Sequence, residues 1–371
     1  MKNERGQYFT KSKQLQKKVI ELIKNDPEVI LEPSVGRGDL IEDLKHIKID
    51  SFEIDESIEP LNGVSPIYAD FLQYEVSKKY KTIIGNPPYI RTKTGNLYLD
   101  FTKKCFELLD EDGELIFIVP SDFFTMTSAK SLIKNMMKDG SFTDVYHPHD
   151  EKLFDNASID VIIYRYQKGC KNKNANYNGQ KRLIVFENDY VSFQKELYNT
   201  IIEDYFKCYV GIVSGADKVI KNEELGNINV LKADDVYDKM INIYKFPSGN
   251  DELDNYLTDH KEVLIKRKIK KFNKNNWYEF GALRNIDIME KHFGERCIYI
   301  HNLTRKDKVA FIGNVGYFGG NLIMMKPHKQ IDLHAMVSYL NSSDFKERYT
   351  FSGRFKIGQS QILKAGFKIN E

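Results

Sequence analysis

Short apolar runs alternating with helical patterns dominate the first 170 residues of this 371-residue chain. Helical spacing of apolar residues follows Ser12, and strand-like runs then recur at short intervals. Predicted strands cover residues 28–31, 49–55, 66–72, 81–89, 113–124 and 158–168, and predicted helices follow Ser12, follow the Gly36 turn and cover 97–109. Because strands that alternate with helices form mostly parallel sheets, we predict an α/β fold with helices on both faces.

The fourth of these strands ends in a stiff corner, Asn86-Pro87-Pro88-Tyr89. Proline fixes φ and lacks an N–H group, so this corner exposes carbonyl oxygens beside an amide and an aromatic ring. The Asn86 side-chain oxygen and the Pro87 carbonyl could accept the two hydrogens of an exocyclic amine, and Tyr89 could stack on its base. Such a corner would act by positioning and electrostatics. The alternative is an ordinary turn that ends a strand.

Further polar residues follow neighbouring strands, at the sheet edge where such folds bind ligands. The loop from Glu32 to Asp39 contains Gly36 and Gly38 but lacks the third glycine of a dinucleotide fingerprint. Glu53 lies 21 residues after Glu32, at a strand end where a carboxylate can accept both hydroxyls of a ribose. Asp70 and Phe71 end the third strand. Together these residues predict a cofactor that contains a nucleoside.

Charge is distributed unevenly along the chain. Residues 261–371 carry 21 Lys and Arg against 10 Asp and Glu, a net charge of +11, although the whole chain carries only +2. Basic clusters lie at 261–277, 301–306 and 354–356. This asymmetry indicates a polyanionic partner for the C-terminal part, and the alternative is a solvated basic face.

Composition excludes several other classes of protein. With 41% hydrophobic and 29% charged residues the chain is expected to be globular. No apolar run approaches the ~18 residues of a membrane span, so a cytoplasmic protein without membrane contact is expected. The four cysteines are scattered, and neither a disulfide framework nor a metal site is predicted.

The motifs "LEPSVGRGDL", "FEID", "YADF" and "GNPPY" occur in this order after an N-terminal "RGQYFT". This arrangement resembles the gamma-class, Taq-like DNA adenine-N6 methyltransferases, the modification methylases of type II restriction-modification systems. The resemblance implies a Rossmann-like S-adenosylmethionine-dependent sheet, followed by a C-terminal α+β domain that recognises the DNA target. It places the catalytic domain at residues 1–205 and the recognition domain at 206–371. Ser34-Val35 and a short segment after the corner depart from the family pattern.

The resemblance also implies roles for individual residues. Those expected to handle the target base are Asn86, Pro87, Tyr89 and Phe154. Those expected to bind S-adenosylmethionine are Tyr8, Phe9, Thr10, Glu32, Pro33, Ser34, Gly36, Gly38, Glu53, Ile54, Asp70, Phe71, Asn86 and Pro88. Three of these have structural alternatives: Phe154 as a core residue, Asp70 as a helix-start carboxylate, and Thr10 as the cap of the first helix as well.

The expected substrate is double-stranded DNA, from which the target base must be flipped out. A separate cognate restriction endonuclease and a monomeric enzyme are expected. Two rival interpretations remain open. The same fold could methylate structured RNA or a protein glutamine amide, or the chain could be a DNA-binding protein with a vestigial cofactor fold.

Overall fold

A computed structural model describes residues 8–61, 63–91, 95–155, 158–187, 190–351 and 353–368. The chain forms two compact units, which divide between Leu197 and Tyr198, and residues 351–353 group with the first. Residues 5–7 of the "RGQYFT" motif lie outside the described residues. Among the helices in the described ranges, none is long and apolar enough to cross a membrane.

In the part of the first unit that the structure describes, one ten-stranded mixed sheet is accompanied by three α-helices. Its helices are α1 (Lys13–Leu22), α2 (Leu97–Leu108) and α3 (Lys130–Asp139). Its strands are β1 (Val29–Glu32), β2 (Lys48–Glu53), β3 (Ile67–Tyr68), β4 (Tyr80–Gly85), β5 (Leu109–Pro120), β6 (Gly140–Tyr146), β7 (Val161–Lys168), β8 (Asn174–Tyr177), β9 (Gln180–Glu187) and β10 (Tyr190–Gln194). The strand order is β10-β9-β8-β6-β7-β5-β4-β1-β2-β3.

The half of the sheet from β5 to β3 is parallel, as predicted. β1 pairs in parallel with both β2 and β4, and β4 pairs in parallel with β5. The apolar centres of these strands are buried on both faces. Ile30, Ile84 and Ile116 pack in one core cluster, and their neighbours Leu31, Ile83 and Leu115 pack in another. The sheet becomes antiparallel where β7 pairs with β5 and β6. The predicted α/β class and Rossmann-like sheet are confirmed.

Two predicted elements are shorter than expected. The helix expected after the glycine loop is only a 3-10 turn over Asp39–Ile41. Turns follow it, in which the Leu44 N–H donates to the Ile41 carbonyl and the Ile47 N–H donates to the Leu44 carbonyl. A longer helix has no room here, because β2 begins at Lys48. The strand expected over 66–72 is limited to β3, since the Asp70 carboxylate accepts from the Leu72 N–H (3.0 Å) and starts a turn.

The segment 167–183 is rich in Asn, Lys and Gly, a composition that by itself predicts an exposed loop, but it contains the hairpin of β8 and β9. Its turn is Asn178-Gly179, and both residues have positive φ (48° and 82°). A two-residue Asn-Gly connection of this kind matches the twist of paired strands and is a strong hairpin signal. The prediction was wrong because the Lys- and Asn-rich composition outweighed that dipeptide.

The second unit is α+β. Its helices are α4 (Asp217–Ile220), α5 (Asp251–Asp259), α6 (Lys261–Ile265), α7 (Ile286–Lys291), α8 (Leu333–Leu340), α9 (Ser343–Glu347) and α10 (Gln359–Leu363). Its strands are β11 (Thr200–Ile201), β12 (Phe206–Val210), β13 (Ile228–Ala233), β14 (Val236–Met240), β15 (Arg296–His301), β16 (Leu303–Thr304), β17 (Ala310–Asn314), β18 (Leu322–Pro327), β19 (Thr350–Phe351), β20 (Arg354–Lys356) and β21 (Gly366–Phe367). A four-stranded antiparallel sheet, β12-β18-β15-β17, separates two apolar clusters centred on Trp277 and on Phe345.

A buried carboxylate at the amino end of the parallel strands joins several elements of the first unit. Glu114 on β5 is fully buried and accepts a hydrogen bond from Nε of the equally buried Arg165 on β7 (2.7 Å). It also accepts from the Thr82 hydroxyl on β4 (2.9 Å) and from the backbone N–H groups of Lys24 and Asn25, which follow α1. The bonds satisfy a charge that would otherwise be strongly unfavourable in the interior.

Replacing Glu114 by alanine is expected to lower the free energy of unfolding by roughly 3–5 kcal/mol, because the Arg165 charge would remain buried without its partner. Urea denaturation of wild-type and variant protein measures this. Glu111→Ala, on the same strand but exposed, serves as the control and should change stability by less than about 0.5 kcal/mol. Equal effects of the two substitutions would contradict the assigned role of the network.

Candidate active site

A cleft of about 400 Å³ lies at the carboxyl ends of β1, β2 and β4. Its volume is within the range of small-molecule sites. The predicted residues that line it are Tyr8, Phe9, Thr10, Glu32, Pro33, Ser34, Gly36, Glu53, Ile54, Asp70, Phe71, Asn86 and Pro88. Gly38, Pro87, Tyr89 and Phe154 are outside this lining, and the last two lie next to it against Tyr8. Among the described residues, no group of three His, Cys, Asp or Glu side chains could hold a metal ion.

The glycine loop and Glu53 form one hydrogen-bonded unit in the cleft. The Gly36 N–H donates to Oε2 of Glu53 (2.9 Å), and the N–H groups of Ile54 and Asp55 donate to Oε1 (2.9 Å each). A carboxylate has about four acceptor positions, so Glu53 can accept further bonds from a ligand. The Ile54 side chain is 61% exposed and thus available to pack on a planar group. This arrangement fits the ribose and adenine of a nucleoside.

The N-terminal segment covers the glycine loop. Gly36 has φ of +55°, and a Cβ atom there would lie 3.2 Å from the Phe9 ring. Arg37 stacks on the same ring (5.5 Å from its centroid) and donates to Asp39, which lines the cleft. Only glycine therefore allows the loop to lie this close under Phe9.

Glu32 is a buried acid of the cleft whose pKa is strongly raised. It is 1% exposed, and its Oε1 accepts from the Ser34 N–H (3.2 Å). Burial raises its pKa to about 8, an effect that the Ser34 bond opposes and the neighbouring Glu53 charge reinforces. The raised pKa favours the neutral carboxylic acid form of Glu32.

The amide of Asn86 is oriented by the N-terminal segment. Its Nδ2 donates to the Tyr8 backbone carbonyl (2.9 Å) and to the Thr10 hydroxyl (3.0 Å). Its Oδ1 accepts from the Tyr89 hydroxyl. The expectation that Thr10 caps the first helix is wrong. α1 begins only at Lys13, and the Thr10 hydroxyl accepts a hydrogen bond from Asn86.

Tyr89 lies among three aromatic rings. Tyr8 stacks on it, with centroids 5.6 Å apart and planes at 27°. Phe154 and Tyr98 meet it edge to face, at 6.4 Å and 6.0 Å. Phe154 is 4% exposed and packs in a core cluster, so it is a core residue and a neighbour of Tyr89 at the same time.

Asp70 and Phe71 lie at the other end of the cleft. Phe71 is 2% exposed and packs against Phe52 (5.2 Å) and Phe101 (5.6 Å), so most of its ring belongs to the core. One oxygen of Asp70 is used in the turn after β3. A hydrogen bond that Asp70 accepts from a ligand therefore has to use its remaining lone pairs.

Sequence inspection missed part of the lining, namely Val35, Asp39, Leu40, Ala69, Leu72, Ile90, Leu97 and Phe101. Leu97 and Phe101 lie on one face of the helix predicted over 97–109, but helical spacing does not distinguish a cleft wall from the core. Ile90 directly follows the proline corner, and its position in the sequence was an available signal.

Two members of the basic clusters in the second unit have structural roles. Arg267 is buried, donates to the backbone carbonyls of Leu264, Ser214, Trp277 and Glu279, and stacks on Phe272. Burial lowers its pKa to about 10. His301 is also buried, and burial lowers its pKa. Exposed basic residues remain at 266, 268, 270, 271, 274, 305, 306, 354 and 356.

The sheet and its cleft have the Rossmann-like methyltransferase fold, for which S-adenosylmethionine is the expected cofactor. Among solved structures, the type IIL restriction-modification enzyme MmeI in complex with DNA aligns with 96% of this chain and 64% of its own, with a TM-score of 0.57 and 11% identity. At that identity the alignment supports the fold alone.

Residues 7–154 match the family described as Eco57I restriction-modification methylase, which confirms the resemblance to restriction-modification methylases. The chain is 31% identical over 196 residues to the type II methyltransferase M.HincII of Haemophilus influenzae, covering 46% of this chain and 39% of that protein. It is 24% identical over 186 residues to M.MjaIV of Methanocaldococcus jannaschii, covering 42% and 60%. The matched region thus spans less than two thirds of either relative.

The raised pKa of Glu32 predicts a pH-dependent stability. In the unfolded chain this carboxyl ionises near pH 4.5, whereas in the folded protein it stays protonated up to about pH 8. The stabilisation from the neutral form is therefore complete below pH 4.5 and is lost as the pH rises toward 8. Glu32→Gln, a neutral isostere, should be roughly 2–4 kcal/mol more stable than wild type at pH 8 and nearly equal to it at pH 4.5.

Urea denaturation of the two proteins at both pH values tests this prediction. Glu28→Gln, just before β1 and exposed, is the matched control and should leave the pH profile of the wild type unchanged. An identical pH profile for Glu32→Gln and wild type would show that Glu32 ionises normally.

Proposed function

We propose that this chain is a site-specific DNA methyltransferase that transfers a methyl group from S-adenosylmethionine to N6 of adenine. The substrate is double-stranded DNA, and the target base is flipped out of the duplex before it is modified. The methylation protects DNA from a separate cognate restriction endonuclease. The family match and the M.HincII and M.MjaIV similarities support DNA methylation, and the site chemistry supports an exocyclic amino group as the methyl acceptor.

The orientation of Asn86 carries the proposal. Its amide nitrogen has two hydrogens, and both are donated, to Tyr8 and to Thr10. The side-chain oxygen is therefore the atom presented as an acceptor, and the Tyr89 hydroxyl uses only one of its two lone pairs. An exocyclic amine needs such an acceptor, whereas a carbonyl oxygen at the same place would be repelled. This favours an amino group as the methyl acceptor.

The other residues of the corner complete this arrangement. The Pro87 carbonyl is the second acceptor for the amine, and Tyr89 and Phe154 hold the base by stacking, each contact contributing about 1–3 kcal/mol. When bound, S-adenosylmethionine supplies the activated methyl group. Two acceptors on the amine draw its nitrogen lone pair out of conjugation with the ring, and the methylated nitrogen then loses its extra proton to water.

The cleft residues are assigned to the cofactor by their chemistry. Glu53 accepts from the ribose hydroxyls, Ile54 and Phe71 pack on the adenine ring, and Asp70 accepts from its amino group. Glu32 lies at the methionine end, where the ammonium group would favour the ionised carboxylate. Tyr8, Phe9 and Thr10 cover the loop formed by Pro33, Ser34, Gly36 and Gly38, and Pro88 belongs to the wall beside Asn86.

The second unit is assigned to DNA recognition. The net charge of +11 over residues 261–371 suits phosphate contacts, and the exposed lysines and arginines around 266–274 are the candidates for them. The catalytic domain corresponds in this proposal to residues 1–205 and the recognition domain to 206–371, and the enzyme acts as a monomer.

Transfer of labelled methyl groups from S-adenosylmethionine to unmethylated genomic DNA tests the proposed function, with RNA and protein extract assayed in parallel. We expect label in N6-methyladenine of the DNA digest, and sequencing of the modified positions identifies the target site. Label in RNA or in protein alone would assign the chain to the rival substrates, and absence of label everywhere would contradict methyl transfer.

Replacing Asn86 by alanine should lower kcat by about 100- to 1,000-fold, because the amine loses an oriented acceptor. Asn86→Asp should also be impaired, since a carboxylate cannot donate to Tyr8 and Thr10. The affinity for DNA and for S-adenosylhomocysteine should change little. Asn176→Ala, on β8, is the matched control, and substantial turnover by Asn86→Ala would rule out the proposed role.

The role of Glu53 is tested by Glu53→Gln, which preserves size but removes the charge that strengthens hydrogen bonds from the ribose. We expect the Kd for S-adenosylhomocysteine to rise about tenfold, corresponding to ~1.4 kcal/mol, in isothermal titration calorimetry. Glu56→Gln, exposed three residues later, should bind as the wild type does. An unchanged Kd for Glu53→Gln would remove Glu53 from the cofactor site.

A further inference from the structure

The ring of Tyr8 lies against Tyr89, the residue on which the target base stacks in the proposed function. It faces Tyr89 in a stacked arrangement, 5.6 Å between centroids at 27°, and also contacts Phe154 at 5.9 Å and 57°. Aromatic rings in contact have centroids at least about 4.5 Å apart, so a base between Tyr8 and Tyr89 would need a much wider gap. Among the described rings around Tyr89, Phe154 and Tyr98 meet it edge-on. Tyr8 alone lies nearly parallel to it.

We infer that Tyr8 is a placeholder for the target base, a positioning residue that fills the base slot of the free enzyme and leaves it when the base enters. The inference deepens the proposed function and rests on it. Tyr8 thereby keeps the faces of Tyr89 and Phe154 covered while no base is bound. An entering base exchanges one aromatic contact for another.

The backbone geometry allows this exchange without disturbing the amide that orients the substrate. Asn86 is held by the backbone carbonyl of Tyr8, not by its side chain, and by the hydroxyl of Thr10. Rotation of the Tyr8 side chain to another staggered rotamer therefore leaves both bonds intact. The segment itself stays attached, because the Gln16 amide donates to the Thr10 carbonyl (2.7 Å) and Lys11 pairs with Asp155 beside Phe154 (2.7 Å).

Tyr8 also lines the cofactor cleft, so the same side chain borders both ligands. A ring that moves out of the base slot changes the wall of the cleft at the point where the two sites meet. The order of binding is therefore expected to matter, with the target base displacing Tyr8 in the cofactor-loaded enzyme.

Binding of duplexes that carry the target site, as determined by sequencing of methylated DNA, tests the inference. Tyr8→Ala removes the competing ring, so its Kd for the target duplex should fall several-fold. With 2-aminopurine in place of the target adenine, the fluorescence of the saturated Tyr8→Ala complex should exceed that of the saturated wild-type complex. Tyr8→Phe keeps the ring, so its Kd for the target duplex should equal that of the wild type. Tyr8→Leu, which removes the flat face but retains apolar bulk, replaces Tyr8→Ala if that variant does not fold.

A duplex with an abasic residue at the target position is the control, because it has no base to insert. Its Kd should be equal for wild type, Tyr8→Ala and Tyr8→Phe. A Kd of Tyr8→Ala for the target duplex that is unchanged or higher would overturn the inference. A weaker affinity of Tyr8→Ala for S-adenosylhomocysteine together with an unchanged Kd for the target duplex would show that Tyr8 serves only the cofactor.

Displacement of the ring is observed directly by fluorine NMR of 3-fluorotyrosine introduced at position 8. The resonance should move toward that of a solvent-exposed tyrosine when the target duplex is added, and should stay in place with the abasic duplex. A resonance that does not respond to the target duplex contradicts the inference. Failure of the proposed function is distinguishable, because it appears as absence of methyl transfer by the wild type.

Discussion

The parallel pairing of β1 with β2 on one side and β4 on the other is the constraint on which the site depends. Parallel strands end at the same edge of a sheet, so Glu32, Glu53 and the residues after Gly85 converge although 54 positions separate Glu32 from Asn86. The opposite edge is held by buried Glu114, whose bonds reach β4, β7 and the chain after α1. Any slip in register would both unpair that carboxylate and separate the acids of the cleft.

The proline corner is only half of the device that presents Asn86. Rigid prolines place the residue at the end of β4, but they do not decide which way its amide points. That choice is made by the N-terminal segment, where a carbonyl and a hydroxyl take both amide hydrogens. An asparagine is suited to this position because its amide combines two donor hydrogens for anchoring with an acceptor oxygen for the substrate, which aspartate and serine could not do.

Local chemistry explains which features could be predicted from the sequence. Glu32, Glu53 and Asn86 lie at the ends of apolar strands, so their meeting at one edge of the sheet could be predicted from the sequence. The helix predicted after the glycine loop is absent from the described residues, where only a 3-10 turn over Asp39–Ile41 is found. Hydrophobic periodicity contains no information on where the next strand begins, and β2 begins at Lys48, which leaves room only for turns. Arg267 resembles its exposed lysine neighbours in sequence, yet it donates to four carbonyls inside the second unit. Such burial depends on packing against residues that are distant in sequence, so it cannot be predicted from residue type alone.

The segment from Tyr8 to Thr10 connects functions that are usually treated separately. Phe9 covers the glycine loop, Thr10 anchors Asn86, and the Tyr8 ring occupies the stacking face of Tyr89. Because these are consecutive residues, a shift of this segment would alter the cofactor cleft, the amide orientation and the base slot together. An open slot for a planar base would expose Tyr89 and Phe154 to water. The Tyr8 ring prevents this exposure by packing against both of them.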